Sequence, residues 1–256
     1  MKNQYIHLFV AAFCWQLLTA QLVGNLSFLG PQVSITQNAQ QINPAAFSNT
    51  DQLQLQIQGA FIAQLPGFQL LNVALQLPRK KLCLSQQMNL QGIPSYQILS
   101  NLTNVGLELN SQIKMGVGLG FQTLFQPAHY GASWTSMVKF GLQYQLDAHQ
   151  YFGLTFEINT PFELAQFKWA YANQLSAELT CFAHLCWYQS IPPQFCFGFQ
   201  QKMKTYHLLF MAALQPQLFS LALQKQTLHP FSWSVGIQWQ HNIGLGLVWG
   251  FKFCRK

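Results

Sequence analysis

Two stretches near the C-terminus constrain the fold most: Phe231 to Trp239 and Ile243 to Phe253. In the first, Phe231, Trp233, Val235, Ile237 and Trp239 alternate with Ser232, Ser234, Gly236 and Gln238. In the second, Ile243, Leu245, Leu247, Trp249, Phe251 and Phe253 alternate with Gly244, Gly246, Val248, Gly250 and Lys252. Side chains on a strand point to opposite faces with period two, so each stretch has one bulky apolar face and one small or polar face. A strand that meets lipid on one side and a lumen on the other has this pattern. About 9 to 11 residues are enough for a tilted strand to cross a bilayer. The apolar residues are odd-numbered in both stretches. The reading therefore sets Trp239 opposite Ile243, with Gln240, His241 and Asn242 as the loop and Asn242 as the left-handed residue.

Composition points the same way. Only 7% of residues are charged, against roughly 25% in ordinary soluble proteins. No apolar run approaches the roughly 20 residues of a spanning helix. Gln and Asn carry most of the polarity, which suits a hydrated interior with few buried charges. The chain opens with Met1 and Lys2, an apolar stretch from Tyr5 to Leu18, then Thr19, Ala20 and Gln21. This reads as a secretory signal peptide over residues 1–20, cleaved after Ala20.

Five cysteines follow: Cys83, Cys181, Cys186, Cys196 and Cys254. They lack paired metal-ligand spacing and read as small apolar residues in strands. No metal or cofactor is implied. The net charge of +7 is spread too thinly for nucleic acid, since the largest cluster is Arg79-Lys80-Lys81 in a turn. A few cations near a membrane surface suit anionic headgroups.

Residues 21–50 break every period and read as an irregular N-terminal segment with a short helical turn around Pro44 to Phe47. From residue 51 to 256 alternating strands recur. Leu53 to Ile57, Leu71 to Leu77, Val105 to Leu109, Ile113 to Phe121, Val138 to Leu146, Leu154 to Ile158 and Phe167 to Tyr171 are the clearest. Gly92 to Asn104 reads as a longer loop or irregular crossing. Leu175 to Met203 is less clean, and Ile191-Pro192-Pro193 reads as a break. Open strand edges are not tolerated in lipid, so the strands must close. The expected fold is all-β, a closed antiparallel transmembrane β-barrel of about 12–14 strands with a short N-terminal plug-like segment.

The phrases Gly30-Pro31-Gln32-Val33-Ser34-Ile35 and Gln41-Ile42-Asn43-Pro44-Ala45-Ala46-Phe47 resemble the N-terminal pattern of FadL-like outer-membrane barrels. The likeness is to the PorV- and PorQ-like members associated with type IX secretion in particular. Lys139-Phe140-Gly141-Leu142-Gln143-Tyr144 and Gly153-Leu154-Thr155-Phe156-Glu157-Ile158-Asn159 are also similar. The local motif covers residues 30–47. Pro31 and Gln32 depart from the family's small residues, and the chain is shorter than full-length transporters. The resemblance implies an outer membrane of the Gram-negative type and an N-terminal segment tucked into the barrel, with Asn43 and Pro44 as anchors. A plain Asx-Pro turn leading into a strand fits the same residues.

Glu108, Lys114, Lys139, Glu157, Lys168, Glu178 and Lys252 fall on the expected lumen side. They either steer an anionic or amphipathic solute or pair with one another across strands. No Ser-His-acid signature is present, so no enzyme is expected. Two functions remain. The first is a non-enzymatic accessory scaffold of the PorV/PorQ type, whose partners are outer-membrane lipid and other outer-membrane or secretion-system proteins. The alternative is a FadL-like passive transporter of a small hydrophobic or amphipathic molecule.

Overall fold

A computed structural model describes residues 43–47, 52–63, 67–94, 96–126, 131–159, 163–188, 191–214, 217–226, 231–240 and 244–255. The expected signal peptide and residues 21–42 lie outside the described residues. The strands are β1 (Leu53–Ile62), β2 (Gln69–Arg79), β3 (Leu82–Ile93), β4 (Tyr96–Glu108), β5 (Ile113–Gln126), β6 (Gly131–Gln145) and β7 (Gln150–Asn159). They continue with β8 (Glu163–Gln174), β9 (Leu179–Tyr188), β10 (Ile191–Met203), β11 (Tyr206–Ala213), β12 (Leu218–Gln226), β13 (Phe231–Gln240) and β14 (Gly244–Arg255). Each pairs antiparallel with its sequence neighbours, and β1 pairs with β14 from Leu53↔Arg255 to Ile62↔Gly246. The result is a closed transmembrane barrel of 14 strands. The start of β1 and the end of β14 share one rim, here the terminal rim, with the turns after β2, β4, β6, β8, β10 and β12. The opposite rim is the distal one.

Alternation decides which side chains meet lipid. The outer face exposes Leu119 (61%), Ile237 (50%) and Leu245 (50%), and neighbouring outer rings stack, as Phe219 does with Trp239 at 5.9 Å between centroids. The inner face buries Gln54, Asn72, Gln76, Gln87, Asn104, Gln143, Gln200 and Gln238. Exposed bulky groups outside and buried amides inside invert the soluble arrangement, as a lipid environment requires.

Three local expectations are corrected. Trp239 pairs with Leu245, not Ile243, and Gly244, opposite Gln240, takes a left-handed conformation (φ 84). Parity survives because the register moves by two, and glycine takes the positive φ at the lowest steric cost. Residues 241–243 lie outside the described residues.

Residues 92–104 are not a loop, since they belong almost wholly to β3 and β4. Alternation is hidden there because the outer face is polar too. Thr103 Oγ1 donates to Gln86 Oε1 at 2.6 Å, and Gln86 Nε2 donates to Asn101 Oδ1. On the inner face, Asn89 accepts from Asn72 and Gln87 and donates to Ser100. Pro192 and Pro193 do not break the chain either. They lie in β10, where the pairing with β9 shifts between Ile191 and Gln194, a bulge that accommodates residues unable to donate to the ladder.

The polar triad of Gln86, Asn101 and Thr103 faces lipid near mid-strand, where unsatisfied polar atoms are costly. Replacing it with Leu, Leu and Val together should raise the unfolding free energy in lipid vesicles by about 1–3 kcal/mol. Denaturant titration followed by tryptophan fluorescence measures this, and a destabilised variant would refute the lipid-facing assignment.

Candidate functional site

The feature that sets one part of the inner wall apart is a row of glycines. Gly106 pairs with Gly116 and Gly116 with Gly141, on the adjacent strands β4, β5 and β6 near the terminal rim. Without side chains, this wall admits another piece of backbone. Residues Asn43 to Phe47 fill the space. A Cβ at Gly106 would strike the Phe47 ring, one at Gly116 the Pro44 carbonyl, and one at Gly141 the Asn43 side-chain oxygen.

The turn is held by its own chemistry. Ala45 N donates to Asn43 Oδ1 at 2.9 Å and Ala46 N to Asn43 O at 2.9 Å, an Asx turn inside a β-turn rather than a helical turn. Asn43 Nδ2 then reaches the barrel wall, donating to Leu142 O at 3.0 Å. Lys114 Nζ donates to Phe47 O at 2.9 Å and sits 4.7 Å from the Phe47 ring centroid. Asn43 through Phe47 are all buried.

The charged residues separate into groups. Lys139 and Glu157 form a buried ion pair of 3.1 Å across β6 and β7. Glu108 stands opposite Lys114 in the β4–β5 register. Lys168 lies between Thr155 and Cys186, and Lys252 between Gln56 and Ser232. All six share the inner-face parity of their strands. Glu178 does not join them. It lies exposed in the β8–β9 turn, where Ser176 Oγ accepts from the Glu178 and Leu179 backbone nitrogens.

The rest of the lumen wall has two characters. Strands β1 to β7 carry amides such as Gln54, Asn72, Gln87, Asn104 and Gln143 beside the glycine row and the Lys139–Glu157 pair, with Leu70, Ile98 and Leu102 buried among them. From β8 to β12 a buried cluster of Ala172, Phe182, Cys196, Leu209, Met211, Ala213 and Ala222 gathers, with Tyr151 and Ala170 against it. A second apolar cluster near the distal rim joins Ala60, Ile62, Phe68, Leu70 and Val248. Neither was found from the sequence, because these inner residues follow the same short apolar runs as the lipid face and only strand pairing brings them together. Several buried polar atoms, including Gln54 Oε1, Gln87 Oε1, Gln238 Oε1 and His184 Nε2, have no protein hydrogen-bond partner among the described residues. No two of the five described cysteines are joined by a disulfide.

This architecture is that of a closed antiparallel barrel whose outer face suits a membrane. No protein-family model matches the chain, and no curated protein matches it. Solved structures share its fold. A monoaromatic hydrocarbon channel, the TodX deltaS2S3 mutant, superposes with a TM-score of 0.64 at 9% identity, covering 89% of this chain and 97% of the other. A FadL homologue of Pseudomonas aeruginosa gives 0.63 at 10% identity, over 89% and 96%. The CymD monoaromatic hydrocarbon channel gives 0.57 at 10% identity, over 89% and 93%.

Two substitutions probe the site. Gly116→Val should expel the Asn43–Phe47 turn and speed subtilisin cleavage ahead of β1 by about tenfold, since overpacking costs about 1–3 kcal/mol. Heat-modifiable gel mobility should stay unchanged, and an unaltered cleavage rate would show that the glycine row does not hold the turn. Lys139→Met should destabilise the barrel by about 3 kcal/mol by stranding the Glu157 carboxylate. The double variant Lys139→Met/Glu157→Leu should recover most of that loss in the same denaturant titration.

Proposed function

We propose that this chain is a passive outer-membrane channel for a small hydrophobic or amphipathic solute. The observation that carries the reading is the apolar cluster on the inner face of β8 to β12. A water-filled porin lines its lumen with polar groups, whereas Phe182, Leu209 and Met211 pack together into a buried apolar patch on the inner wall, which an entering apolar solute would part and line. The distal cluster around Phe68 gives an apolar entrance. The amides opposite, with acceptors lacking protein partners, suit a solute that also carries a polar end.

The Asn43–Phe47 turn would act as part of a gate at the terminal rim, anchored by Asn43 and Pro44. The resemblance in fold to hydrocarbon channels supports transport over the accessory-scaffold reading, and no enzymatic role is needed. A single non-enzymatic pathway accounts for the two-sided lumen, the apolar entrance and the seated turn together. Secretion-system partners of the PorV/PorQ kind have no specific observation in their favour.

The test is uptake of radiolabelled toluene into vesicles whose outer leaflet is lipopolysaccharide, a leaflet that slows passive entry of apolar solutes. The intact barrel should increase uptake, and Leu209→Gln/Met211→Gln should reduce it about tenfold by removing roughly 1.4 kcal/mol of apolar contact. Deleting residues 21–47 should raise the rate. No protein-dependent uptake in any of the three forms would return the scaffold reading to first place.

A further inference from the structure

Charge is divided between the two rims and, at one of them, between two arcs. Among the described residues, the strand ends and turns of the distal rim carry no Lys or Arg. The terminal rim carries Arg79, Lys80 and Lys81 at the β2–β3 turn, Lys202 and Lys204 at the β10–β11 turn, Lys225 at the end of β12 and Arg255 at the end of β14. Closure through β1 and β14 makes β10 to β3 one continuous arc. Among the described residues the acids of that rim, Glu108, Asp147 and Glu178, lie on the complementary arc of β4 to β9, where Lys114 stands opposite Glu108 on the inner face. Asp147 Oδ1 is engaged by the His149 and Gln150 backbone nitrogens, at 2.7 Å each. Glu178 adjoins the basic arc through its backbone, its carbonyl accepting from Lys202 N at 2.7 Å.

Direction narrows the ligand. Arg79, Lys225 and Arg255 share the outward parity of their strands and stand at the edge of the lipid-facing wall. Lys225 lies opposite Tyr206 on one side and Trp233 on the other, its ammonium 5.7 Å from the Tyr206 ring centroid. Phe231 and Phe251 stack at 5.7 Å close to the end of β14 that Arg255 terminates. Amphipathic aromatics with long basic side chains beside them mark headgroup depth, where the stems lie on apolar surface and the charges reach phosphate. A ligand met at this depth and in this direction is a lipid and not a soluble chain.

We propose that the basic arc of the terminal rim binds the headgroups of anionic phospholipids in the adjoining leaflet. The guanidinium groups of Arg79 and Arg255 offer paired donors to a phosphodiester, and the lysines add point charges that an anionic surface attracts. The arc thereby favours one orientation of the barrel and retains a lipid shell on one side of it. This holds whether or not the barrel conducts a solute.

The test uses the full chain in phosphatidylcholine nanodiscs with and without 30% phosphatidylglycerol, about a third of the lipid, with retained lipid read by native mass spectrometry after mild detergent release. The expected result is preferential retention of phosphatidylglycerol, weakened by high salt. It should fall at least about tenfold in the variant Arg79→Gln/Lys80→Gln/Lys81→Gln/Lys225→Gln/Arg255→Gln. Glu178→Gln, on the other arc, should keep it. Heat-modifiable mobility verifies that each variant folds. If the five-residue variant does not fold, the two halves, Arg79→Gln/Lys80→Gln/Lys81→Gln and Lys225→Gln/Arg255→Gln, are read separately. Equal retention of the two lipids by the wild-type barrel, or undiminished preference in the charge-neutralised variants, would overturn the proposal. Displacement of the lipid by millimolar inorganic phosphate would also overturn it, by pointing to a free-phosphate site.

Discussion

A bilayer offers the backbone no hydrogen-bonding partner, and every other feature of this barrel follows from that lack. Each N–H and C=O within the hydrocarbon must find another strand, so the pairing has to return to its start. Here β1 and β14 complete the ring along their whole shared length. Closure also dictates where irregularity is allowed. Both pairing shifts, at Glu157/Ile158 and Ile191/Gln194, fall near the distal rim. The ladder is left regular through the depth where an unpaired group would cost several kcal/mol, roughly the stability of a small domain.

Closure makes the outer face readable and the inner face opaque. Lipid imposes one demand on outward side chains, so the period-two signal of Phe231 to Trp239 or Ile113 to Phe121 shows in the bare sequence. The inner face answers to neighbours several strands away. Gly106, Gly116 and Gly141 each look like an ordinary small residue in an alternating strand. Only the registers β4–β5 and β5–β6 set them in a row, and only the row makes a seat for Pro44 and Phe47. The apolar cluster of Phe182, Leu209 and Met211 was hidden for the same reason. The amide-rich hairpin of β3 and β4 failed in the opposite way. With Gln86, Asn101 and Thr103 outside and Asn89 and Ser100 inside, neither face carried a signal, so a pair of strands read as a loop. Asn43 and Pro44 were singled out by resemblance to a family motif. Their hydrogen bonds follow from Asx-turn chemistry, which the Asn-Pro dipeptide does encode.

The energetics of the seated turn bear on whether it is able to act as a gate. Burying Phe47, which is 2% exposed, contributes about 1.5–3 kcal/mol. The bond from Lys114 to the Phe47 carbonyl adds about 1.5–3 kcal/mol, and the neutral bond from Asn43 to Leu142 about 1 kcal/mol. Against this, ordering the five residues from Asn43 to Phe47 costs about 1–2 kcal/mol each in backbone freedom. The Asx turn and Pro44 reduce that cost, because part of the order is already local. Gain and cost are of the same order on these three contacts alone, and the burial of Ala46, and of Pro44 and Ala45 against the glycine row, adds to the gain. A permanent structural plug would require a large surplus of contacts. Because the hold on the turn is local to Lys114, Leu142 and the glycine row, a change at any of these would weaken it, which is the condition that the proposed gating demands.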